Sequence, residues 1–378
     1  MAKVKRKHFY DYGLLFTIIF LTIFGLVMIY SASSYTAQIQ LGDPGYYMKR
    51  QGLIALVGFV AMIVISLIDY HKFLKFAIPA YILSIVLMLV TMVAGKEING
   101  KKRWLGIGSL SFQPTEFVKI AIIIFMAVFI VNLGKKINTI KGFFSVIILT
   151  LIPTALVANN NLSSGIIVFL IPASMAFMVA EKKYILAYVA LLAGILLIFI
   201  FKRPMGTFLA TSGILKPYQA SRVLVWLEPE AHPLDGGYQV LQGLYAIGSG
   251  GFWGKGLGQS IQKLGFVPEA QNDMIFSIIC EELGFVGALL VIVMFGFMIY
   301  RLFILANSAP DKYGSFICIG VMTHVAIQVI LNIAVVSNVI PNTGITLPFI
   351  SYGGTSVVFL MCEMGLALSV SRRIYLDY

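Results

Sequence analysis

Apolar runs of near-bilayer length alternate with shorter polar stretches from one end of this chain to the other. A helix needs roughly 20 apolar residues to cross a membrane. Ten such runs occur, at about 13–32, 52–68, 76–94, 117–133, 143–158, 165–180, 184–201, 274–300, 315–336 and 351–370. One interruption is far longer than the others, because residues 202–273 are mostly polar. The pattern predicts an all-α polytopic membrane protein with about ten transmembrane helices, residues 1–378 forming a single transmembrane domain. It also predicts one large extracellular loop, 202–273, between spans 7 and 8.

Composition agrees with the pattern. The chain is 59% hydrophobic and 12% charged, half the roughly 25% charged fraction of a soluble domain. Lysine and arginine in the connecting segments then set the orientation. With the amino terminus inside, fifteen fall on the cytoplasmic side: Lys3, Lys5, Arg6, Lys7, Lys72, Lys75, Lys135, Lys136, Lys141, Lys182, Lys183, Arg301, Lys312, Arg372 and Arg373. Six fall in the short outer loops: Lys49, Arg50, Lys96, Lys101, Lys102 and Arg103. Both termini are therefore expected in the cytoplasm and the long loop outside. A basic inner face against anionic lipid accounts for the net charge of +12, so no nucleic acid partner is needed.

The first run, Leu14 to Tyr30, follows a basic start and precedes Ser31-Ala32-Ser33, as in a signal peptide. Its length and the nine spans behind it predict a retained first helix instead. Cys280, Cys318 and Cys362 all fall inside predicted spans, which argues against a disulfide framework. His8, His71, His232 and His324 have no zinc-site spacing.

Polar residues inside spans are costly unless paired or wet. Glu116 and Lys119 lie three apart at the start of the fourth span, close enough to pair. Glu281 and Glu282 lie two turns into the eighth, and Glu363 lies midway along the tenth. His324, Gln328 and Asn332 form a stripe on the ninth that reads equally as helix–helix glue and as cavity lining. On the outer side, Arg103 beside Trp104, with Arg203, Arg222 and Lys255, suits an anionic partner such as a pyrophosphate or lipid head group. Gly248-Ser249-Gly250-Gly251 and Gly254-Lys255-Gly256 lack the spacing of a nucleotide loop. They suit tightly turned backbone buried at membrane depth, and so does Ser351-Tyr352-Gly353-Gly354-Thr355-Ser356.

The segment from Asn338-Val339-Ile340-Pro341-Asn342-Thr343-Gly344 through Ile345-Thr346-Leu347-Pro348-Phe349-Ile350 to Ser351-Tyr352-Gly353-Gly354-Thr355-Ser356 resembles the signature of the FtsW/RodA/SpoVE family. Further matches run in order along nearly the whole chain. They include Arg103-Trp104, Gln113-Pro114-Thr115-Glu116 with Lys119, Tyr218-Gln219, Arg222, Gly237-Tyr238-Gln239, Gly254-Lys255-Gly256, Pro268-Glu269, Asp273, Glu281-Glu282-Leu283-Gly284, Gln328 and Asn332. The resemblance implies polymerisation of peptidoglycan glycan strands from lipid II at the outer face of the bacterial plasma membrane. It implies a class B penicillin-binding protein as partner, with other division or elongation membrane proteins, and a place at the division septum. The family's essential carboxylate maps onto Asp273. The candidate substrate-binding residues are Arg103, Trp104, Glu116, Lys119, Tyr218, Arg222, Gln239, Lys255, Glu281 and Ser351.

Chemistry supports the same aspartate. A sugar hydroxyl is a weak nucleophile, and a carboxylate within hydrogen-bond reach assists as general base. One carboxylate acting in a single displacement inverts the anomeric centre. Outer cations stabilise the departing pyrophosphate. No cofactor is required, and a divalent cation, Mg or Mn, is compatible with that leaving group. Asp before an apolar helix is also a favoured N-cap, and pattern alone does not separate cap from base.

Where the family carries a motif of the Gln-Pro-Asp-x-Gly-Thr kind, this chain has Asn159-Asn160-Asn161-Leu162-Ser163-Ser164 and no carboxylate. Thr346 resembles the division and sporulation branch, so an FtsW-like member is expected over a RodA-like one. Two rivals remain, a lipid II flippase and a non-catalytic scaffold.

Overall fold

A computed structural model describes residues 7–98, 101–107, 110–179, 202–212 and 217–376. Twelve α-helices are described: α1 (Tyr12–Leu41), α2 (Tyr46–Leu67), α3 (Ala77–Ala94), α4 (Pro114–Leu133), α5 (Ile140–Asn160), α6 (Leu162–Phe177), α7 (Lys202–Thr211), α8 (Pro217–Leu227), α9 (Tyr238–Gly250), α10 (Ile275–Ser308), α11 (Lys312–Val336) and α12 (Thr355–Ser371). Seven spans, counting the turn at Tyr70–Phe76 with α3, have the length and hydropathy to cross a bilayer. α6 and α12 are shorter but apolar. The chain is thus a polytopic helical membrane protein. The predicted seventh span, about 184–201, lies outside the described residues.

Residues sort by depth in the bundle. α4 and α11 are mostly buried, whereas α2 and α3 expose most of their apolar surface. An apolar helix with apolar exposed faces is at ease only against lipid or another helix. At the end holding both termini, Asp11 is fully buried. Its carboxylate accepts the Leu14 N–H, capping α1, and pairs with Arg301 of α10 at 2.9 Å. Two short strands, β1 (Lys7–His8) and β5 (Tyr375–Leu376), pair there antiparallel. At the other end β2 (Lys96–Ile98), β3 (Lys101–Ile107) and β4 (Leu110–Phe112) form an antiparallel meander between α3 and α4.

The long polar segment is mostly helical, not an open loop, and it folds back into the bundle. α10 is broken at Gly284, whose φ of 64° and ψ of −163° are not helical. A broken helix exposes backbone groups that must find partners. Residues 251–256 supply them. Lys255 and Gly256 N–H donate to the Glu281 and Glu282 carbonyls, both at 2.9 Å. Phe285 and Val286 N–H donate to the Gly251 and Phe252 carbonyls at 3.0 and 3.2 Å. A Cβ on Gly254 would lie 2.2 Å from the Glu282 carbonyl oxygen, and one on Gly284 would lie 2.3 Å from the Gly254 nitrogen. Both also have positive φ, so only glycine fits.

Gly284→Ala or Gly254→Ala should therefore destabilise the protein by about 2 kcal/mol or more, combining left-handed strain with backbone overlap. Gly296→Ala is the control on the same helix, because nothing lies within 4 Å of its added Cβ. Thermal unfolding in detergent should show a lowered midpoint for the first two variants and none for the third.

Candidate active site

Four segments converge on Asp273. It immediately precedes Met274, the N-cap residue of α10, where no side chain caps the helix. Asp273 is therefore not the N-cap residue itself, and its carboxylate draws on the main-chain N–H groups of Asp273 and Met274 at the entrance to the helix. Asn332 of α11 is fully buried, and its amide N–H groups fork to the Asp273 carbonyl at 2.9 Å and the Ile345 carbonyl at 2.7 Å. Its own oxygen has no partner, a cost of about 1–3 kcal/mol that an apolar side chain of the same size avoids. The two donated bonds are what the amide supplies.

The facing wall is the chain from Asn338 to Gly354. Arg222 of α8 donates to the Asn342 carbonyl at 2.8 Å, and Asn342 Nδ2 donates to Gln239 Oε1 at 3.1 Å. Gln239 Nε2 in turn reaches the Pro268 carbonyl at 3.4 Å. Ser351 Oγ accepts the Leu347 N–H at 2.7 Å, and Tyr352 N–H donates to the Gln271 carbonyl at 2.8 Å. Gly344, at φ +70°, passes close enough that an added Cβ would lie 3.8 Å from Asp273 Oδ2. Asp273 keeps partial solvent access yet is ringed by protein. That crowding pushes its pKa up to about 6, with main-chain N–H groups of Asp273 and Met274 and the Arg222 guanidinium pulling downward and Glu269 adding to the rise.

A second polar group lies deeper, between α4, α11 and α12. Lys119 Nζ pairs with Glu116 at 2.9 Å and donates to Gln328 Oε1 at 3.4 Å. His324 sits between Gln328 (2.8 Å) and Glu363 (2.6 Å). Gln328 Nε2 donates to the Thr346 carbonyl at 3.0 Å, joining this network to the same wall. A cleft lined by Glu116, His324, Gln328, Thr346, Ser351 and Ser356 opens between them. The α11 stripe is thus both glue and lining.

Lys255 and Glu281 are given to each other, at 2.7 Å. Ser260 Oγ and the Ile261 and Gln262 N–H groups also donate to Glu281. Beside it, buried Lys263 pairs with Glu282 at 2.8 Å, and Ser31 Oγ donates to the same carboxylate. These two glutamates clamp the 255–263 segment onto α10. Arg103 Nε donates to the Asn160 carbonyl at 3.2 Å, and Asn160 Nδ2 returns a bond to the Lys102 carbonyl. Half-buried Trp104 follows on the same strand, pairing in register with Lys96. Tyr218 is the second residue of α8. Among the described residues no three His, Cys, Asp or Glu side chains gather to hold a metal.

Residues 12–375 match the family of cell cycle proteins FtsW/RodA/SpoVE. The chain belongs to this family. It is 36% identical to stage V sporulation protein E of Bacillus subtilis, covering 94% of this chain and 95% of that protein. It is 35% identical to the probable peptidoglycan glycosyltransferase FtsW of a Geobacter species, covering 98% and 99%. Among solved structures it resembles a chain of a peptidoglycan synthase complex that coordinates polymerization and crosslinking, with a TM-score of 0.77, 29% identity and coverage of 97% and 99%. It also resembles the rod shape determining protein RodA of Thermus thermophilus, with a TM-score of 0.68, 25% identity and coverage of 97% and 98%. The FtsW and SpoVE relatives agree with the branch expected from Thr346.

Of the residues singled out in this FtsW/RodA/SpoVE sequence, Asp273, Arg222, Gln239 and Ser351 meet around one wall, and Glu116 and Lys119 reach it through Gln328. Lys263 and Ser31 escaped notice, since nothing in a sequence marks a loop lysine or a helix serine as the buried partner of a distant glutamate. Removing the Arg222 charge should raise the Asp273 pKa. Difference infrared spectroscopy of the carboxyl band should show a midpoint near pH 6 in the parent protein, a higher one in Arg222→Met, and no such band in Asp273→Asn.

Proposed function

We propose that this chain is a peptidoglycan glycosyltransferase that polymerises lipid II into glycan strands, with Asp273 as general base. The carrying observation is the position of Asp273: partly accessible, held by its own carbonyl to Asn332, and raised to a pKa of about 6. At neutral pH such a carboxylate is mostly ionised and is a stronger base than an ordinary aspartate. It takes the proton of the acceptor sugar hydroxyl as that oxygen bonds to the anomeric carbon of the donor. The bond from that carbon to the lipid pyrophosphate breaks, the pyrophosphate carries away the electron pair, and the anomeric centre inverts. Arg222 stands beside the carboxylate and offers positive charge to the departing group.

The relatives named as glycosyltransferases and the likeness to a synthase complex support this reading. A class B penicillin-binding protein is the partner we assign, with the reaction at the outer face of the plasma membrane and both termini in the cytoplasm. Lysine and arginine placement supports that orientation.

Purified protein with its cognate partner should convert fluorescent lipid II into polymer visible on a gel. Asp273→Ala should lower the rate by on the order of 10²–10⁴. Full polymer from the variant would return the chain to a scaffold. Absence of polymer from both, with lipid II crossing between vesicle leaflets, would make it a flippase. Asn332→Leu, which frees the Asp273 carbonyl, should lower kcat about 10²-fold and leave KM unchanged. A rise in KM with kcat intact would move Asn332 from positioning to substrate binding.

A further inference from the structure

Beside the Asp273 segment stands a group of aromatic side chains that the reaction above does not use. The Tyr47 and Tyr352 rings meet edge to face with centroids 5.0 Å apart, and Tyr46 meets Tyr47 at 5.4 Å. Exposed Arg50 donates from Nη1 to the Tyr46 hydroxyl at 3.3 Å and lies beside the Tyr352 hydroxyl. One main-chain contact fixes this group to the Asp273 segment, and one charge is shared with it. Tyr352 N–H bonds the carbonyl of Gln271, two residues before Asp273, and Glu269 acts electrostatically on both Tyr47 and Asp273. Buried Gln51 accepts the Gly354 N–H at 3.3 Å, pinning the turn that carries Tyr352 to α2.

The chemistry of this wall matches a sugar. A pyranose ring has an apolar C–H face that packs on aromatic rings and a polar rim that takes hydrogen bonds from tyrosine hydroxyls and a guanidinium. Tyrosines of an interfacial belt face lipid from single helices. Here the rings come from two elements, α2 and the turn before α12, and meet each other next to the catalytic loop. A glycan polymerase must hold saccharide on each side of the new bond, while Asp273 supplies one functional group.

We propose that Tyr46, Tyr47, Arg50 and Tyr352 form a sugar-binding wall, a subsite for the pyranose rings of a glycan strand, adjoining Asp273. This rests on the glycosyltransferase reading. The probe is the β-1,4-linked N-acetylglucosamine tetrasaccharide, which carries no lipid, pyrophosphate or peptide, titrated into protein in nanodiscs. The parent and Asp273→Asn should bind it alike. The Tyr46→Ala/Tyr352→Ala double variant should bind about tenfold more weakly, the loss of two ring contacts. Tyr46→Phe/Tyr352→Phe should bind within about threefold of the parent, since the rings remain. Arg50→Met, a change at an exposed side chain that leaves folding untouched, should also weaken binding. No binding by the parent overturns the wall. So does equal binding by the Ala variant with its thermal midpoint intact, or a loss in the Phe variant as large as in the Ala variant. Polymer made by Asp273→Ala would instead remove the catalytic reading, and the titration would still decide the wall on its own.

Discussion

The break in α10 at Gly284 is the constraint on which the rest of the structure depends. In lipid an unpaired backbone N–H or C=O costs several kcal/mol, so a helix interrupted inside an apolar span survives only if other chain fills the gap. Residues 251–256 do so with four backbone hydrogen bonds. The insertion fixes the path from α9 to α10, and with it the segment that ends at Asp273. Lysines follow by the same logic. Lys255 and Lys263 neutralise Glu281 and Glu282, whose burial is tolerable only in pairs.

From that anchor the surroundings of Asp273 are built with main chain as much as side chain. Asn332 holds two carbonyls, Arg222 holds a third, and Gln328 holds a fourth. The wall from Asn338 to Gly354 is irregular backbone, and each of these amides and guanidiniums satisfies a group that a helix would satisfy internally. Gly25 of α1 lets this wall pass close, because a Cβ there would lie 2.6 Å from the Phe349 carbonyl oxygen. The polar residues scattered through the spans are therefore largely the means of holding non-helical chain inside a helical bundle.

That division explains what was legible in the sequence. Apolar length gave the spans because lipid imposes it on each helix separately. The Glu116–Lys119 pair and the His324–Gln328–Asn332 stripe were legible because helical spacing sets neighbours three and four apart. The Lys202–Asp273 segment reads in the sequence as one large loop, and the helices inside it are not legible there. Two of its lysines, Lys255 and Lys263, pair with Glu281 and Glu282 of α10, contacts between residues some twenty apart that no local period encodes. The pairing of Lys255 with Glu281 is hidden in the sequence for the same reason. Each looks like an unpaired charge until the fold supplies the other.

The position of Asp273 follows from the same economy. A catalytic carboxylate needs partial desolvation to become basic and enough access to meet a substrate. Asp273 lies one residue before the N-cap of α10, where its carboxylate accepts from the main-chain N–H groups of Asp273 and Met274 while its carbonyl is fixed by α11. Crowding raises its pKa, and main-chain N–H groups together with the Arg222 guanidinium on α8 keep the rise moderate. α9 packs on α10 and residues 251–256 insert at its break, so the polar segment itself sets the path that delivers Asp273 to the start of α10. A change at Gly254 or Gly284 loosens the backbone insertion and with it the chain that leads to Asp273, without touching any residue beside that carboxylate.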